Sequence, residues 1–141
     1  MHINSDEAMQ KLGEEIAHKL KGGETIELIG DVGAGKTTLV HGLSRGLGLK
    51  DAIQSPTFTI SREYTREDGL VLKHYDFYRL DNPGIMADEI REASNDPHSI
   101  VIVEWASSVS EVLPSHRVVI NIKSDPKDPD GRLVEVLGVN L

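Results

Sequence analysis

The stretch GDVGAGKTT, at residues 30–38, restricts the fold of this chain more than any other part of the sequence. Four of its residues satisfy the motif G-x-x-x-x-G-K-[ST]: Gly30, Gly35, Lys36 and Thr37. The preceding segment ETIELIG has the pattern of a strand, and the apolar residues after the motif have helical spacing. A strand, this motif and a helix in succession predict a phosphate-binding loop, or P-loop. The alternative, a glycine-rich turn with an incidental lysine, is disfavoured because all three parts agree.

The loop supplies the groups that a phosphate chain needs. Several backbone N–H groups must converge without obstructing side chains, and the N-terminus of the following helix adds positive charge. We expect Lys36 to neutralise the β and γ phosphates and Thr37 to place its hydroxyl on Mg²⁺. The predicted nucleotide-binding residues of this loop are Val32, Gly33, Ala34, Gly35, Lys36, Thr37 and Thr38.

Two carboxylates follow predicted strands and are candidates for the metal or the attacking water. Glu104 comes directly after the apolar run IVIV. A charge in that position normally needs a partner, which favours Mg²⁺ over a solvated strand end. Asp76 also ends a strand, but in a polar hairpin, so from the residues alone a metal ligand and a solvated turn are equally supported.

Thr57 and Trp105 complete the candidate site. Thr57 lies in QSPTFT, between the loop helix and the hairpin, where nucleotide hydrolases often place a segment that senses the γ phosphate. A β-turn nucleated by Ser55-Pro56 is an equally good interpretation of the same residues. Trp105 is the only tryptophan, and although such a residue is more often part of a core, its position beside Glu104 places it near the nucleotide.

The remaining pattern predicts a three-layer α/β fold in one domain, residues 1–141. We expect an opening helix capped by Asn4 and stopped by Gly22-Gly23, and an antiparallel hairpin at TREDG. SIVIVEWA predicts a strand buried on both faces, and RVVINI and RLVEVLGV predict two closing strands joined by the turn SDPKDPDG. Together these elements predict a mixed, mostly parallel sheet. Between residues 81 and 97 we expect a mobile surface segment with one weak helical turn at 86–90.

Composition excludes several classes of function. The net charge is -8, and the 15 basic residues form no cluster, so tight direct binding to nucleic acid is not expected. Cysteine is absent and the six histidines show no pair at zinc-ligand spacing, so a bound metal should have oxygen ligands. The chain start lacks a signal peptide's apolar core, and the longest aliphatic run is too short to cross a bilayer. We expect a cytoplasmic protein without membrane association.

The residues favour ATP as the nucleotide. Two segments occur in the order of guanine-nucleotide motifs, DNPG at 81–84 and IKSD at 122–125. Asp81 stands beyond the strand end, and Ile122 replaces the amide or hydroxyl side chain that guanine recognition needs. A small-molecule kinase is also disfavoured because no arginine-rich lid is evident. A small GTPase-like hydrolase remains an alternative.

The segments GDVGAGKTT, SPTFT, EY, HYDFYRL and VEWA, in this order and spacing, resemble the TsaE (formerly YjeE) family of small P-loop ATPases. The resemblance covers most of the chain. It implies a role in forming threonylcarbamoyladenosine at position 37 of tRNAs that read ANN codons, together with the TsaD and TsaB proteins. The acidic charge then fits a subunit that contacts tRNA only indirectly and acts on those partners.

The same resemblance implies roles for individual residues. Thr37 and Glu104 become the Mg²⁺ ligands, Asp76 the switch carboxylate near the metal, and Lys36 the phosphate lysine. The implied residues near the base are Asp6, Gly131 and Arg132. The chain departs from the family pattern at Val32, where Leu is usual, and in a shortened, less helical 81–97 segment. We expect an ATPase that is weak alone and stimulated by its partners; the alternative is a nucleotide-gated binding module with negligible turnover.

Overall fold

The computed structural model describes residues 1–31, 33–49, 53–54, 61–77, 84 and 86–141. Within these ranges the chain forms eight strands, three α-helices and two short 3₁₀ turns. The strands are β1 (His2–Ile3), β2 (Thr25–Ile29), β3 (Ile53–Gln54), β4 (Ser61–Thr65), β5 (Val71–Asp76), β6 (Ser99–Glu104), β7 (Val118–Asp125) and β8 (Asp128–Leu137). The helices are α1 (Asp6–Ala17), α2 (Lys36–Gly46) and α3 (Met86–Ser94), and the 3₁₀ turns are Ala106–Ser108 and Ser110–Val112.

The described strands form one mixed sheet in the order β1-β8-β7-β2-β6-β5-β4-β3. The four central strands, β7, β2, β6 and β5, run parallel. Antiparallel strands flank them on both sides: β8 and β1 at one edge, β4 and β3 at the other. The predicted mixed α/β fold, its hairpin and its strand–loop–helix unit are therefore confirmed.

Alternation along β6 shows how the sheet separates two apolar layers. Ile100 and Ile102 face the core formed with α1 and α2, whereas Val101 and Val103 face a second cluster that includes α3. All residues of β6 are buried. A strand covered on both faces reads as a continuous aliphatic run because neither side can be polar. The prediction for SIVIVEWA is confirmed.

Close helix packing fixes α1 on α2. A Cβ at Gly42 would lie 2.1 Å from the backbone oxygen of Gln10, and one at Gly13 would lie 2.5 Å from the backbone oxygen of Leu39. A Cβ at Gly46 would lie 2.7 Å from the Cβ of Ala17. These glycines let the two backbones approach more closely than any larger side chain would permit.

The opening helix is capped by Ser5, so the prediction of Asn4 as its cap is wrong. Ser5 has an extended backbone, and its Oγ accepts a hydrogen bond from the Ala8 amide at 3.1 Å. That places the cap three residues before the bonded amide, the usual geometry for serine. Asn4 instead lines the cleft described below.

The prediction of one weak helical turn at 86–90 is also wrong. Helix α3 continues to Ser94 and buries Ile90 and Ala93 against the second apolar cluster. Its side is further tied to the sheet by the Tyr75 hydroxyl, which donates to Glu89 at 3.0 Å. Tertiary burial therefore sustains a helix that the local composition predicts only weakly. Residues 81–83 and 85 lie outside the described ranges.

The predicted closing turn is shorter than expected. The two closing strands continue to Asp125 and resume at Asp128, so much of SDPKDPDG is strand. Strand β1 was not predicted; its two residues pair with β8, and the Met1 ammonium donates to the Val134 carbonyl at 2.8 Å. None of the described helices has the length and hydrophobicity needed to span a bilayer.

Replacing Gly42 by alanine should destabilise the fold. The added methyl group would overlap the Gln10 backbone, and overpacking of this kind costs about 1–3 kcal/mol, more than alanine gains in helix propensity. Urea unfolding of Gly42→Ala should therefore show a lower free energy of unfolding. His41→Ala, at an exposed position of the same helix, is the control and should change it by less than ~0.5 kcal/mol. Equal unfolding midpoints for the two variants would contradict this account of the interface.

Candidate nucleotide site

A cleft of about 740 Å³ opens at the carboxyl ends of β5 and β6, where α2 begins. This edge is where open α/β sheets bind ligands. Its wall combines the P-loop, the start of α1 and the first residues of β8. The lining residues are Ile3, Asn4, Ser5, Asp6, Met9, Gly33, Ala34, Gly35, Lys36, Thr37, Thr38, Asp76, Glu104, Trp105, Pro129, Asp130 and Arg132.

Glycine conformation shapes the loop at the floor of this cleft. Gly33 and Gly35 have φ angles of 82° and 103°, in the left-handed region that favours glycine. Gly35 is also the N-cap of α2, and no side chain caps the helix there. The first amides of a helix have no partner within the helix. The N-terminus of α2 thus offers backbone donors and a positive dipole end to an anion in the cleft.

Lys36 is held by three groups at once. Its Nζ donates to the Gly30 carbonyl at 2.6 Å, lies 3.3 Å from Oε1 of Glu104, and sits 4.3 Å from the ring centre of Trp105. Its side chain is only 8% exposed. The lysine of the motif therefore lies inside the cleft, paired with the strand-end carboxylate and over an aromatic face that favours a cation.

The sheet register brings the two predicted carboxylates together. Strands β5 and β6 are parallel, and Asp76 is the Cα partner of Glu104. Side chains alternate along a strand, so Leu72, His74 and Asp76 share the face on which Ile102 and Glu104 lie. Both carboxylates line the cleft. Their roles toward a metal ion remain predictions.

His74 is a site residue that the sequence analysis missed. Its Nε2 makes a hydrogen bond with Oε2 of Glu104, and both side chains are buried, at 10% and 7% exposed. The available signal was the spacing H-x-D in HYDFYRL, because residues two apart on a strand point to the same face. A histidine two positions before Asp76 had to lie on the site's side of the sheet.

The pKa of Glu104 reflects this environment. Burial raises the pKa and is the largest single influence, but the hydrogen bond and charge of His74, followed by those of Lys36, outweigh it. The net effect is a pKa below the ordinary value for glutamate. Glu104 is therefore held as a carboxylate inside the protein, in the form that can bind a cation or accept a proton.

Trp105 has the single positive φ angle of a non-glycine residue in the described chain, at 56°. This left-handed residue follows β6 directly and turns the chain at the cleft. Its ring lies against the Lys36 ammonium and is half-buried. The sequence-based placement of Trp105 near the site thus agrees with the geometry, whereas contact with a base remains a prediction.

Arg132 connects the last strand to the P-loop. Its Nε donates to the Ala34 carbonyl at 3.3 Å, and one terminal nitrogen donates to the Gly33 carbonyl at 3.4 Å. Strand β1 pairs Ile3 with Arg132, so the start of α1, including Asp6, continues the same cleft wall. Gly131 is buried behind this wall, where a Cβ would meet Nε2 of His2 at 2.6 Å.

The other predicted positions divide into two groups. Thr37 and Thr38, in the first turn of α2, line the cleft beside Lys36. Val32 and Thr57 lie outside the described residues. Sequence analysis also missed Met9, whose side chain lies 3.2 Å from where a Cβ of Gly35 would stand and supports the loop from α1.

The guanine-type segment IKSD does not face the cleft. Ile122 is 1% exposed in the core between β7 and the helices, and Lys123 and Ser124 pair with β8. Asp125 lies 3.1 Å from His2. The segment lies on β7 beside the start of the P-loop, but the apolar Ile122 stands where guanine recognition needs an amide or hydroxyl side chain, which weakens the GTPase alternative. The first segment, DNPG, lies mostly outside the described residues.

Comparison with known proteins gives a consistent set of relatives. Residues 3–133 match the family model described as threonylcarbamoyl adenosine biosynthesis protein TsaE. The TsaE protein of Streptomyces coelicolor is 40% identical over 118 residues, covering 81% of this chain and 78% of that protein. The TsaE protein of Bacillus subtilis is 39% identical over 128 residues, covering 86% and 74%. The crystal structure of Bacillus subtilis YdiB superposes with a TM-score of 0.71 at 31% identity, covering 95% of this chain and 80% of that one.

Replacing Arg132 by alanine should loosen the P-loop. The guanidinium contacts two loop carbonyls. Losing these contacts should destabilise the closed loop by ~1 kcal/mol, which raises the population of the locally open loop about fivefold. The Ala34 amide, which donates to the Asp31 carbonyl at 3.0 Å, reports this opening by hydrogen exchange without added nucleotide. Arg91→Ala, which removes an exposed arginine paired with Asp88 on α3, is the matched control. Unchanged exchange at Ala34 in Arg132→Ala would show that Arg132 does not support the loop.

Proposed function

Because this chain belongs to the TsaE family of threonylcarbamoyl adenosine biosynthesis proteins, we propose that it is an ATPase of the bacterial machinery that makes N6-threonylcarbamoyladenosine in tRNA. The modified base is at position 37 of tRNAs that read ANN codons. In making it, the chain acts on the partner proteins TsaD and TsaB. The observation that carries the proposal is the meeting of Lys36 and the ionised Glu104 at the P-loop.

Phosphate binding follows from the arrangement of the chain's own donors. The uncapped start of α2, together with Gly33 and Gly35, supplies converging amides for a polyphosphate. Lys36 already points into the cleft and needs only to exchange the Gly30 carbonyl and Glu104 for phosphate oxygens. A negatively charged ligand thus replaces the interactions that hold Lys36 in the free protein.

The donor set of the cleft fits Mg²⁺. Its candidate ligands are the Thr37 hydroxyl and the Asp76 and Glu104 carboxylates, all oxygen donors on the cleft wall. Within the described residues no group of three His, Cys, Asp or Glu side chains is assembled for a metal. A hard cation that keeps waters and takes phosphate oxygens needs only one or two protein carboxylates. Thr37, Asp76 and Glu104 would hold a bound Mg²⁺, which would offset the negative charge of the phosphates.

Hydrolysis requires a group that orients the attacking water. Glu104 is the best candidate because burial keeps it rigid while His74 and Lys36 keep it ionised. Asp76 is its neighbour across the strand pair and supports the metal side of the site. Thr57 is proposed to sense the γ phosphate. In the free protein Lys36 occupies one oxygen of Glu104. This contact supports the proposal that ATP turnover is slow until nucleotide and partners bind.

The net negative charge of the chain supports the proposal that its partners, and not this subunit, bind the tRNA. A subunit with a net charge of -8 is repelled by the phosphate backbone of tRNA. We propose that TsaD and TsaB hold the tRNA and that this subunit uses ATP to change their conformation. Its contact with tRNA is then indirect. A nucleotide-gated module that docks without turnover is the alternative, and the next experiment separates the two.

Replacing Glu104 by glutamine should stop hydrolysis while leaving ATP bound. The amide keeps the shape of the side chain but not its charge, so turnover measured with TsaD and TsaB should fall about 100-fold or more. ATP affinity measured by calorimetry should change far less. Glu135→Gln, at an exposed position of β8, is the control. If Glu104→Gln sustains repeated rounds of tRNA modification, turnover is dispensable and the gated binding module is favoured.

ATP should bind at least about tenfold more tightly than GTP. Ile122 occupies the position where guanine recognition needs an amide or hydroxyl side chain, and it is apolar and buried in the core, so it cannot make the contacts that select guanine. Displacement of a fluorescent ATP analogue by ATP, GTP and their diphosphates measures this preference. Stronger displacement by GTP would make the GTPase-like alternative the better one.

A further inference from the structure

We infer that His74 is a positioning residue that keeps the Glu104 carboxylate aimed into the cleft when Lys36 leaves it for the phosphates of ATP. This inference rests on the proposed ATPase function. It assigns a purpose to a buried histidine that is not among the residues lining the cleft.

The Glu104 carboxylate is bonded through both of its oxygens. Its two oxygens have different partners: Oε1 lies 3.3 Å from Nζ of Lys36, and Oε2 is bonded to Nε2 of His74. Among the residues that the structure describes, these are the two side chains bonded to this carboxylate. One partner is therefore placed on each side of the group.

The two partners of Glu104 differ in mobility. Lys36 lies in the first turn of α2, on a long flexible side chain, and its ammonium is the group expected to move to phosphate. His74 lies in the middle of β5, with strand neighbours β4 and β6 on both sides. Its ring is confined by the sheet and by burial, so its nitrogen stays where it is when Lys36 moves.

The Glu104 carboxylate loses one of its two partners when Lys36 moves to phosphate. A buried carboxylate without a hydrogen-bond partner is unfavourable, and its side chain would turn toward water. When Lys36 moves to phosphate, the His74 bond is the described interaction that remains on Glu104. His74 thereby maintains the direction of the carboxylate while the nucleotide is bound.

The kinetic test uses a pair of substitutions at His74. His74→Leu introduces an apolar side chain of similar volume and removes the bond to Glu104, whereas His74→Gln places an amide nitrogen near the position of Nε2. With TsaD and TsaB present, His74→Leu should lower kcat about tenfold or more while KM for ATP changes less than about twofold. His74→Gln should recover most of kcat. His116→Gln, an exposed histidine change, should match the wild type.

A double-mutant cycle separates positioning from a general packing effect. In the Glu104→Gln background, His74→Leu should cause little further loss of kcat, because a residue that acts through Glu104 has nothing left to position. Thermal unfolding of each variant shows whether the fold persists. Equal losses in both backgrounds, or no recovery by His74→Gln in a folded protein, would overturn the inference.

A structural test does not depend on turnover. Crystal structures of Lys36→Ala imitate the departure of the lysine, and Glu104 should remain bonded to His74 and directed into the cleft. In Lys36→Ala/His74→Leu the carboxylate should turn away. A Glu104 that leaves His74 in Lys36→Ala overturns the inference even if the wild type hydrolyses ATP. Absence of ATP hydrolysis by the wild type with its partners would count against the proposed function instead.

Discussion

The burial of an ionised Glu104 is the constraint on which the candidate site depends. Removing a carboxylate from water raises its pKa and is unfavourable unless other groups replace the lost solvation. Here Lys36 and His74 provide that replacement from two different elements, the P-loop helix and strand β5. The loop, the central strands and the cleft are thus linked through one charged cluster. A change at any of its three members alters the electrostatic balance of the other two.

The position of this cluster follows from the sheet. Parallel strands end at a common edge, and the register of β5 with β6 places Asp76 directly beside Glu104. The close contact of α1 with α2 through Gly42 then sets the opposite wall, because the start of α1 lines the cleft. Arg132 closes the wall by holding the P-loop carbonyls from β8. The P-loop is in this way held by α1, β6 and β8.

The same geometry fits the proposal that the free protein is poised for ATP hydrolysis and not yet active. Lys36 is engaged by Gly30, Glu104 and Trp105, so its charge is neutralised before any phosphate arrives. In the proposed function a polyphosphate competes for that ammonium and draws Lys36 away from Glu104, so that ligand binding releases the carboxylate. His74 can hold Glu104 during this exchange because its own bond to the carboxylate does not depend on Lys36. The proposed dependence on partner proteins adds a second condition for assembling the site.

The sequence by itself determined the local elements: the P-loop between a strand and a helix, the hairpin at TREDG, and the doubly buried strand before Glu104. These follow from short-range periodicity and turn chemistry, which any stretch of chain carries within itself. Only the tertiary structure decided which residues meet. His74 bonds to Glu104 across 30 positions, Arg132 reaches the P-loop across 98, and α3 becomes a full helix because Ile90 and Ala93 find a surface to cover. Such contacts depend on strand order and register, which arise from packing the whole chain and leave no periodic signal in any one segment.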